Sequence, residues 1–226
     1  MIKSKDISVM IFAAGFGTRM GELTKDCPKP LLPLKGRTLI DQALDHVWDF
    51  EPNTVLVNAH YHAEKVLDHF ANSPVTVLHE QPKVLETGGG LKAALPHIPT
   101  ETVITMNSDT LWLGPNPLSV LVNAWDPEAM DALLLCVPAE RAIGHAGSGD
   151  FAADPKGRIT RRGPLTYAGI QIIKTHPVHN INETIFSLNL IWDSLIQQGR
   201  AYSAVYPASI YDIGTKDSFY AAAEFL

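Results

Sequence analysis

Along this chain, short apolar runs rich in β-branched residues alternate with stretches whose apolar positions recur at helical spacing. The runs Ser8–Ala13, Thr54–Asn58, Val75–His79, Thr102–Asn107 and Asp131–Val137 predict strands. Thr38–Phe50, His62–Ala71, Gly89–Leu95 and Pro117–Trp125 predict helices between them. Such alternation predicts a largely parallel sheet covered on both faces. The second half is less regular. Asp150–Ala153 and Arg158–Arg161 flank Asp154-Pro155-Lys156-Gly157 and predict a hairpin. Tyr167–Ile173 and Ala201–Tyr206 predict further strands. Asn189–Gln198 predicts a helix ended by Gly199, and Thr215–Phe225 a closing helix capped by Thr215. No linker or repeat divides the chain. The expectation is one α/β domain over residues 1–226 with a mixed, mostly parallel central sheet.

Composition narrows the function. The chain has 226 residues, 46% hydrophobic and 19% charged, a globular balance sufficient for one core. A net charge of −6 argues against a nucleic-acid partner, while leaving room for a local basic pocket. Cys27 and Cys136 fit no metal or redox spacing and read as free thiols in a reducing compartment. No apolar run approaches the roughly 18 residues of a membrane span. Lys3 and Lys5 before Ile7–Ala14 suggest the start of a secretory signal, but Asp6 interrupts it and the run leads straight into glycines. A strand followed by a glycine-rich loop explains these residues better, and the expected location is the cytoplasm.

The sharpest local feature is that loop, Ala13-Ala14-Gly15-Phe16-Gly17-Thr18-Arg19-Met20. Its small residues let a ligand approach the backbone, and its glycines permit conformations that aim amides at an anion. A Walker loop, G-x-x-x-x-G-K-[ST], is absent. A dinucleotide fingerprint would need a third glycine where Met20 stands; it comes one place late, at Gly21. Pro28, Pro30 and Pro33 then predict an extended arm over Thr24–Leu34, with Pro30 pushing Lys29 toward β or polyproline conformation. Taken alone, Arg19 and Lys29 each read as an ordinary solvated cation. Together beside open amides they suit a polyphosphate.

Two acids stand where a ligand would lie. Asp109 follows the apolar run ending at Asn107, and ligands of open parallel sheets bind beyond the carboxyl ends of strands. Asp212 sits among apolar residues in Ile210-Tyr211-Asp212-Ile213-Gly214-Thr215. Magnesium is commonly held by one or two carboxylates plus substrate phosphates, and these are the best candidate pair. Singly, Asp109 reads as well as a loop cap and Asp212 as a helix-preceding acid. Nothing in the sequence shows that they meet. Gln81 could pair with a base edge, and Gly88-Gly89-Gly90 could let a flat ring lie on the backbone or form a flexible helix entrance. Glu86 and Thr87 read equally as capping groups.

Other features carry less. His60 with His62, and His176 with His179, lack a partner at metal-ligand spacing. Ser148 lacks the context of a nucleophile elbow. Arg158, Arg161 and Arg162 read as a solvated hairpin face.

With these pieces in place, the chain resembles the sugar-phosphate nucleotidyltransferases over almost its full length. The resemblance rests on Phe12-Ala13-Ala14-Gly15-Phe16-Gly17-Thr18-Arg19-Met20 followed by Pro28-Lys29-Pro30-Leu31. Leu85-Glu86-Thr87-Gly88-Gly89-Gly90, Asn107-Ser108-Asp109, Gly149-Asp150-Phe151, Tyr167-Ala168-Gly169-Ile170 and Asp212-Ile213-Gly214-Thr215 make it most similar to the N-acetylmuramate-1-phosphate uridylyltransferase subgroup. The resemblance implies a three-layer α/β/α domain of nucleotide-diphospho-sugar transferase type, with a nucleotide-binding half to about residue 115 and a sugar-binding half after it. It implies a nucleotide over Ala13, Ala14, Gly15, Gly17 and Thr18, with the base near Glu80 and Gly88. Arg19 and Lys29 would act on the phosphates, and Asp109 and Asp212 would hold Mg²⁺. Glu86, Asn107, Asp150, Gly169 and Asn189 would line the sugar side. The implied partners are a nucleoside triphosphate, UTP first, and a sugar 1-phosphate. Three departures stand out: Gly21-Glu22 in place of Arg-Pro, Ser108 in place of a common glycine, and Tyr211 where tryptophan is frequent. Rival readings are a transferase for another sugar or nucleotide, a phosphocholine-type cytidylyltransferase, and a nucleotide-sugar binding subunit without turnover.

Overall fold

The structure, a computed structural model, describes residues 2–225. β1 (Ile7–Phe12) sends Ile7, Val9 and Ile11 into one core and Met10 into another, all fully buried, as a strand covered on both faces requires. A short antiparallel pair, β2 (Pro33–Leu34) and β3 (Arg37–Thr38), leads into α1 (Leu39–Phe50), where the Thr38 hydroxyl accepts from the Asp41 amide at 3.2 Å. Next come β4 (Val55–Ala59), α2 (Ala63–His69), β5 (Thr76–His79), α3 (Glu86–Ala94), β6 (Thr102–Asn107), β7 (Thr110–Trp112) and α4 (Pro117–Ala124). The second half holds β8 (Ala132–Pro138), β9 (Ala142–Ile143), the hairpin β10 (Phe151–Ala153) and β11 (Ile159–Arg161), and β12 (Leu165–Lys174). It closes with α5 (His176–His179), α6 (Leu188–Gln197), β13 (Ala201–Val205), β14 (Ile210–Asp212) and α7 (Lys216–Phe225).

Among the described residues, nine strands form the main sheet. β5, β4, β1 and β6 are mutually parallel; β12 runs antiparallel to β6 and β8, and β13 lies parallel to β8. Ile40, Leu44 and Val47 of α1 and Leu118 and Leu121 of α4 cover one face. Leu91 of α3 and Ile191, Trp192 and Leu195 of α6 cover the other. The result is the expected α/β fold in three layers.

Two expectations change. The arm over Thr24–Leu34 is not continuously extended: Lys29–Leu31 makes one 3₁₀ turn, closed by the Leu31 amide on the Pro28 carbonyl at 2.9 Å. Pro30 lies in the first turn, where a missing N–H leaves nothing unpaired. α3 starts at Glu86 rather than Gly89, because the Gly88 and Gly89 amides both dock on the Phe186 carbonyl at 2.9 Å.

A second sheet was not apparent from periodicity. β14 pairs antiparallel with β7 and parallel with β9. Its strands span only two or three residues each. Leu111, Tyr211 and Ile213 join Met20, Leu34 and Phe219 of α7 in a third apolar cluster beneath the glycine loop.

Candidate active site

At the carboxyl ends of β1 and β6 lies an open cavity of about 410 Å³. The loop from Phe12 to Arg19 forms one wall, and Lys29, Pro30, Thr87, Asn107–Asp109 and Gly214 complete it. Gly17 takes a left-handed conformation (φ 64°), and a Cβ there would lie 3.0 Å from the Thr24 methyl and 3.2 Å from Lys29 Cβ. Both the backbone and the close approach therefore favour glycine. The Thr24 hydroxyl is shared between the carbonyls of Gly17 (3.1 Å) and Gly21 (3.2 Å), which pins the loop.

The short sheet delivers the acids. Asp109 immediately precedes β7, and Asp212 pairs with Thr110 in the β7–β14 ladder. The Ile213 amide donates to the Asp109 carbonyl at 2.9 Å. The two acids, from distant parts of the chain, thus come together. Burial and the neighbouring Asp109 push the Asp212 carboxyl up from its ordinary value, while Lys29 and His145 oppose the shift. Lys29 Nζ donates to Asp109 Oδ2 at 2.5 Å, and His145 Nδ1 lies 3.5 Å from Asp212 Oδ2. Gly214 separates Arg19 from Asp212: a Cβ on it would sit 3.3 Å from Arg19 Nη1 and 3.5 Å from Asp212 Oδ1. Two cations and two carboxylates therefore surround one end of the glycine loop. Among the described residues no group of three or more His, Cys, Asp or Glu side chains forms a metal cluster. A pair of mutually repelling acids, Asp109 on the cavity wall and Asp212 beside the lining residue Gly214, suits a divalent cation that takes its other ligands from phosphate and water.

Four of the five sugar-side candidates fall in two places. Gly169 (φ 72°) lies at the irregularity of β12 against Asn107 and Thr110; a Cβ there would be 2.6 Å from Thr110 Oγ1 and 3.2 Å from Asn107 Nδ2. Asp150 and Asn189 share a separate shallow depression with Arg161 and Arg162. There Asp150 Oδ2 accepts the Tyr167 amide at 2.9 Å. Arg161 is not simply solvated, as its guanidinium lies 5.0 Å from the Phe151 ring centre and pairs with Asp193 at 2.7 Å. Glu86 is exposed, with φ 61° at the start of α3.

Glu80 and Gly88 require correction as base contacts. Glu80 is buried, and both its oxygens are engaged: Oε1 accepts from Asn58 Nδ2 at 2.7 Å and Oε2 from the Leu85 amide at 2.7 Å. Asn58 Oδ1 in turn accepts the Ala13 amide at 2.8 Å. Glu80 thus anchors the glycine loop from behind. Gly88 is covered by the Phe186 ring, Gly89 by the Thr184 carbonyl, and Gly90 leaves room for Glu80 Oε1, 2.7 Å from where its Cβ would be. The glycine triplet is a packing device, with no face free for a ring. Asn58 is the main residue that motif reading missed; a lone amide closing the buried run Val55-Leu56-Val57 is the signal that could have found it. Of the departures, Ser108 donates to the Phe12 carbonyl at 2.8 Å and ties β6 to β1, and Tyr211 is buried in the third cluster. Gly21 adopts φ 58°, ψ −128°, a region nearly reserved for glycine.

Known proteins place this geometry. The profile of the MobA-like NTP transferase domain matches residues 9–201. The chain belongs to that family. Within the MobA-like NTP transferases it sits with the sugar-phosphate nucleotidyltransferases. It is 35% identical to an N-acetylmuramate alpha-1-phosphate uridylyltransferase of Caulobacter vibrioides over 84% of this chain and 85% of that protein. It is 31% identical to the bifunctional protein GlmU of Neisseria gonorrhoeae over 68% of this chain but 32% of that longer protein. Its fold matches HddC from Yersinia pseudotuberculosis complexed with GMP-PN, with TM-score 0.78, 23% identity and coverage of 96% of this chain and 98% of that one.

Proposed function

We propose that this MobA-like NTP transferase joins UTP to N-acetylmuramate 1-phosphate, giving UDP-N-acetylmuramate and pyrophosphate, in cytoplasmic recycling of cell-wall sugar. The observation that carries the reaction type is the meeting of Asp109, Asp212, Arg19 and Lys29 at the glycine loop. The choice of sugar and base draws on the similarity to the Caulobacter uridylyltransferase.

In this reading a sugar-phosphate oxygen attacks the α-phosphorus of the triphosphate in line. The new oxygen–phosphorus bond forms as the bridge to the β-phosphate breaks, and pyrophosphate leaves with the electron pair. A phosphate is already a nucleophile, so no side chain need remove a proton. Lys29 and Arg19 offset charge on the transferred and departing phosphates, and the loop amides fix their position. Mg²⁺ held by Asp109 and Asp212 would neutralise triphosphate charge when bound. Asn107 on the cavity wall contacts the sugar in this account, with Gly169 packed against it.

Pyrophosphate release over a grid of triphosphates and sugar phosphates tests the assignment. UTP with N-acetylmuramate 1-phosphate gives the highest kcat/KM on this account; a clear preference for another pair overturns the substrate while leaving the reaction type. The Gly21, Ser108 and Tyr211 departures are the specific reason to run the whole grid.

A further inference from the structure

One group of side chains outside the cavity touches the phosphate loop at several points. Tyr61, His62 and Lys65 lie between β4 and the first turn of α2. Tyr61 Oη donates to the Thr24 carbonyl at 3.0 Å and lies 3.3 Å from that of Lys25. His62 Nε2 lies 3.0 Å from the Lys25 carbonyl, and Lys65 Nζ donates to the Asp26 carbonyl. Three consecutive carbonyls of an exposed loop are thus held by one short segment. The other end of the loop is held too: the Phe16 ring sits edge-on to His60 at 5.4 Å and tilted on Tyr61 at 5.8 Å.

Arg19 lies between these two anchored ends, and Lys29 follows three residues after Asp26. The intervening backbone carries a break of its own. Gly21 breaks the 3₁₀ turn with a conformation only glycine adopts readily, and Gly21-Glu22 stands where the resemblance leads one to expect Arg-Pro. A stiff loop matters because catalysis by charge neutralisation depends on donors already in place.

We propose that Tyr61, His62 and Lys65 are positioning residues for nucleotidyl transfer, clamping the Gly17–Asp26 loop so that Arg19 and Lys29 meet the triphosphate preorganised. The inference rests on the reaction proposed above. It adds the β4–α2 segment, which does not line the cavity and reaches it only through loop residues such as Phe16. The clamp acts on the triphosphate side, since the sugar-side residues Asn107 and Gly169 lie on β6 and β12.

The test compares wild type, Tyr61→Phe, Lys65→Met, the double variant and Lys65→Arg, each as the full chain. Hydrogen exchange, triphosphate affinity by calorimetry with Mg²⁺, steady-state pyrophosphate release and thermal melting are measured. Loss of two such hydrogen bonds predicts about five- to thirtyfold weaker triphosphate binding and a matching rise in its KM in the double variant. Exchange should quicken in residues 18–27 alone, with the KM for sugar phosphate nearly unchanged and the melting midpoint lowered by no more than a few degrees. Lys65→Arg, which keeps a donor, should restore most of the affinity. Unchanged exchange or unchanged triphosphate affinity overturns the proposal. So does a parallel rise in both KM values with a lowered melting point, which would mark general destabilisation. Absence of turnover in wild type would refute the reaction itself, while exchange and calorimetry would still decide whether the clamp tightens the loop around a triphosphate.

Discussion

Lys29 and Asp109 are 80 positions apart in sequence and share a hydrogen bond at the mouth of the cavity. If they neutralise and position phosphate, removing either costs transition-state stabilisation. Lys29→Ala and Asp109→Asn are each expected to lower kcat by roughly 100- to 1,000-fold with the fold intact. Stopped-flow pyrophosphate release and circular dichroism check both halves of that statement. Glu80 makes the opposite prediction. Both its oxygens accept buried donors, so Glu80→Gln must turn an amide N–H₂ toward another donor. The expected loss is about 1–3 kcal/mol of stability, read by denaturant unfolding. At this scale the sequence was informative about residue type and less so about direction. Glycines, cations and acids of the right kind were visible in order. Whether Glu80 faces the cavity or the core depended on Asn58, a partner from another strand.

Among the elements, α3 shows how one motif supports two readings. The Gly88–Gly90 triplet suggested an open platform, yet Phe186 and Thr184 fill it. Gly89→Ala should therefore destabilise by about 1–3 kcal/mol, because a fixed backbone carbonyl blocks the new methyl. A thermal melt checks it; an unchanged midpoint would mean the Thr184–Phe186 segment yields freely. The ends of β8, β12 and β13 are joined by Asp131, which accepts from Arg200 at 2.9 and 3.1 Å and lies 2.9 Å from Lys174 Nζ. Hydrogen bonding to Arg200, then the Lys174 pairing, holds its carboxyl well below the usual range, at about 2. A depressed folded-state value gives stability that is present above the unfolded carboxylate range and lost as pH falls through the folded one. The loss amounts to about 2 kcal/mol between roughly pH 5 and pH 2. Unfolding of wild type and Asp131→Asn across that range should show the gap closing with acid.

The main sheet was legible because each long strand carries its own apolar pattern, and periodicity found it to within a few residues. The second sheet was not, because strands of two or three residues hold no period to read. That small sheet is what brings Asp212 beside Asp109 and makes a site out of two ordinary acids. The arm carrying Lys29 was misread for a related reason: proline rules describe runs, and a single 3₁₀ turn evades them. As a whole, the molecule is then a mixed sheet whose carboxyl edge holds a glycine loop, with Asp109 from the middle of the chain and Asp212 from its far end beside it. Label placement tests this most directly. With UTP labelled at the α-phosphate, a sugar 1-phosphate and Mg²⁺, the label should appear in the nucleotide-sugar, leaving pyrophosphate unlabelled, and the transfer should fail in Asp212→Asn. Transfer of a γ-label to the sugar phosphate, or undiminished α-transfer in Asp212→Asn, would contradict the account.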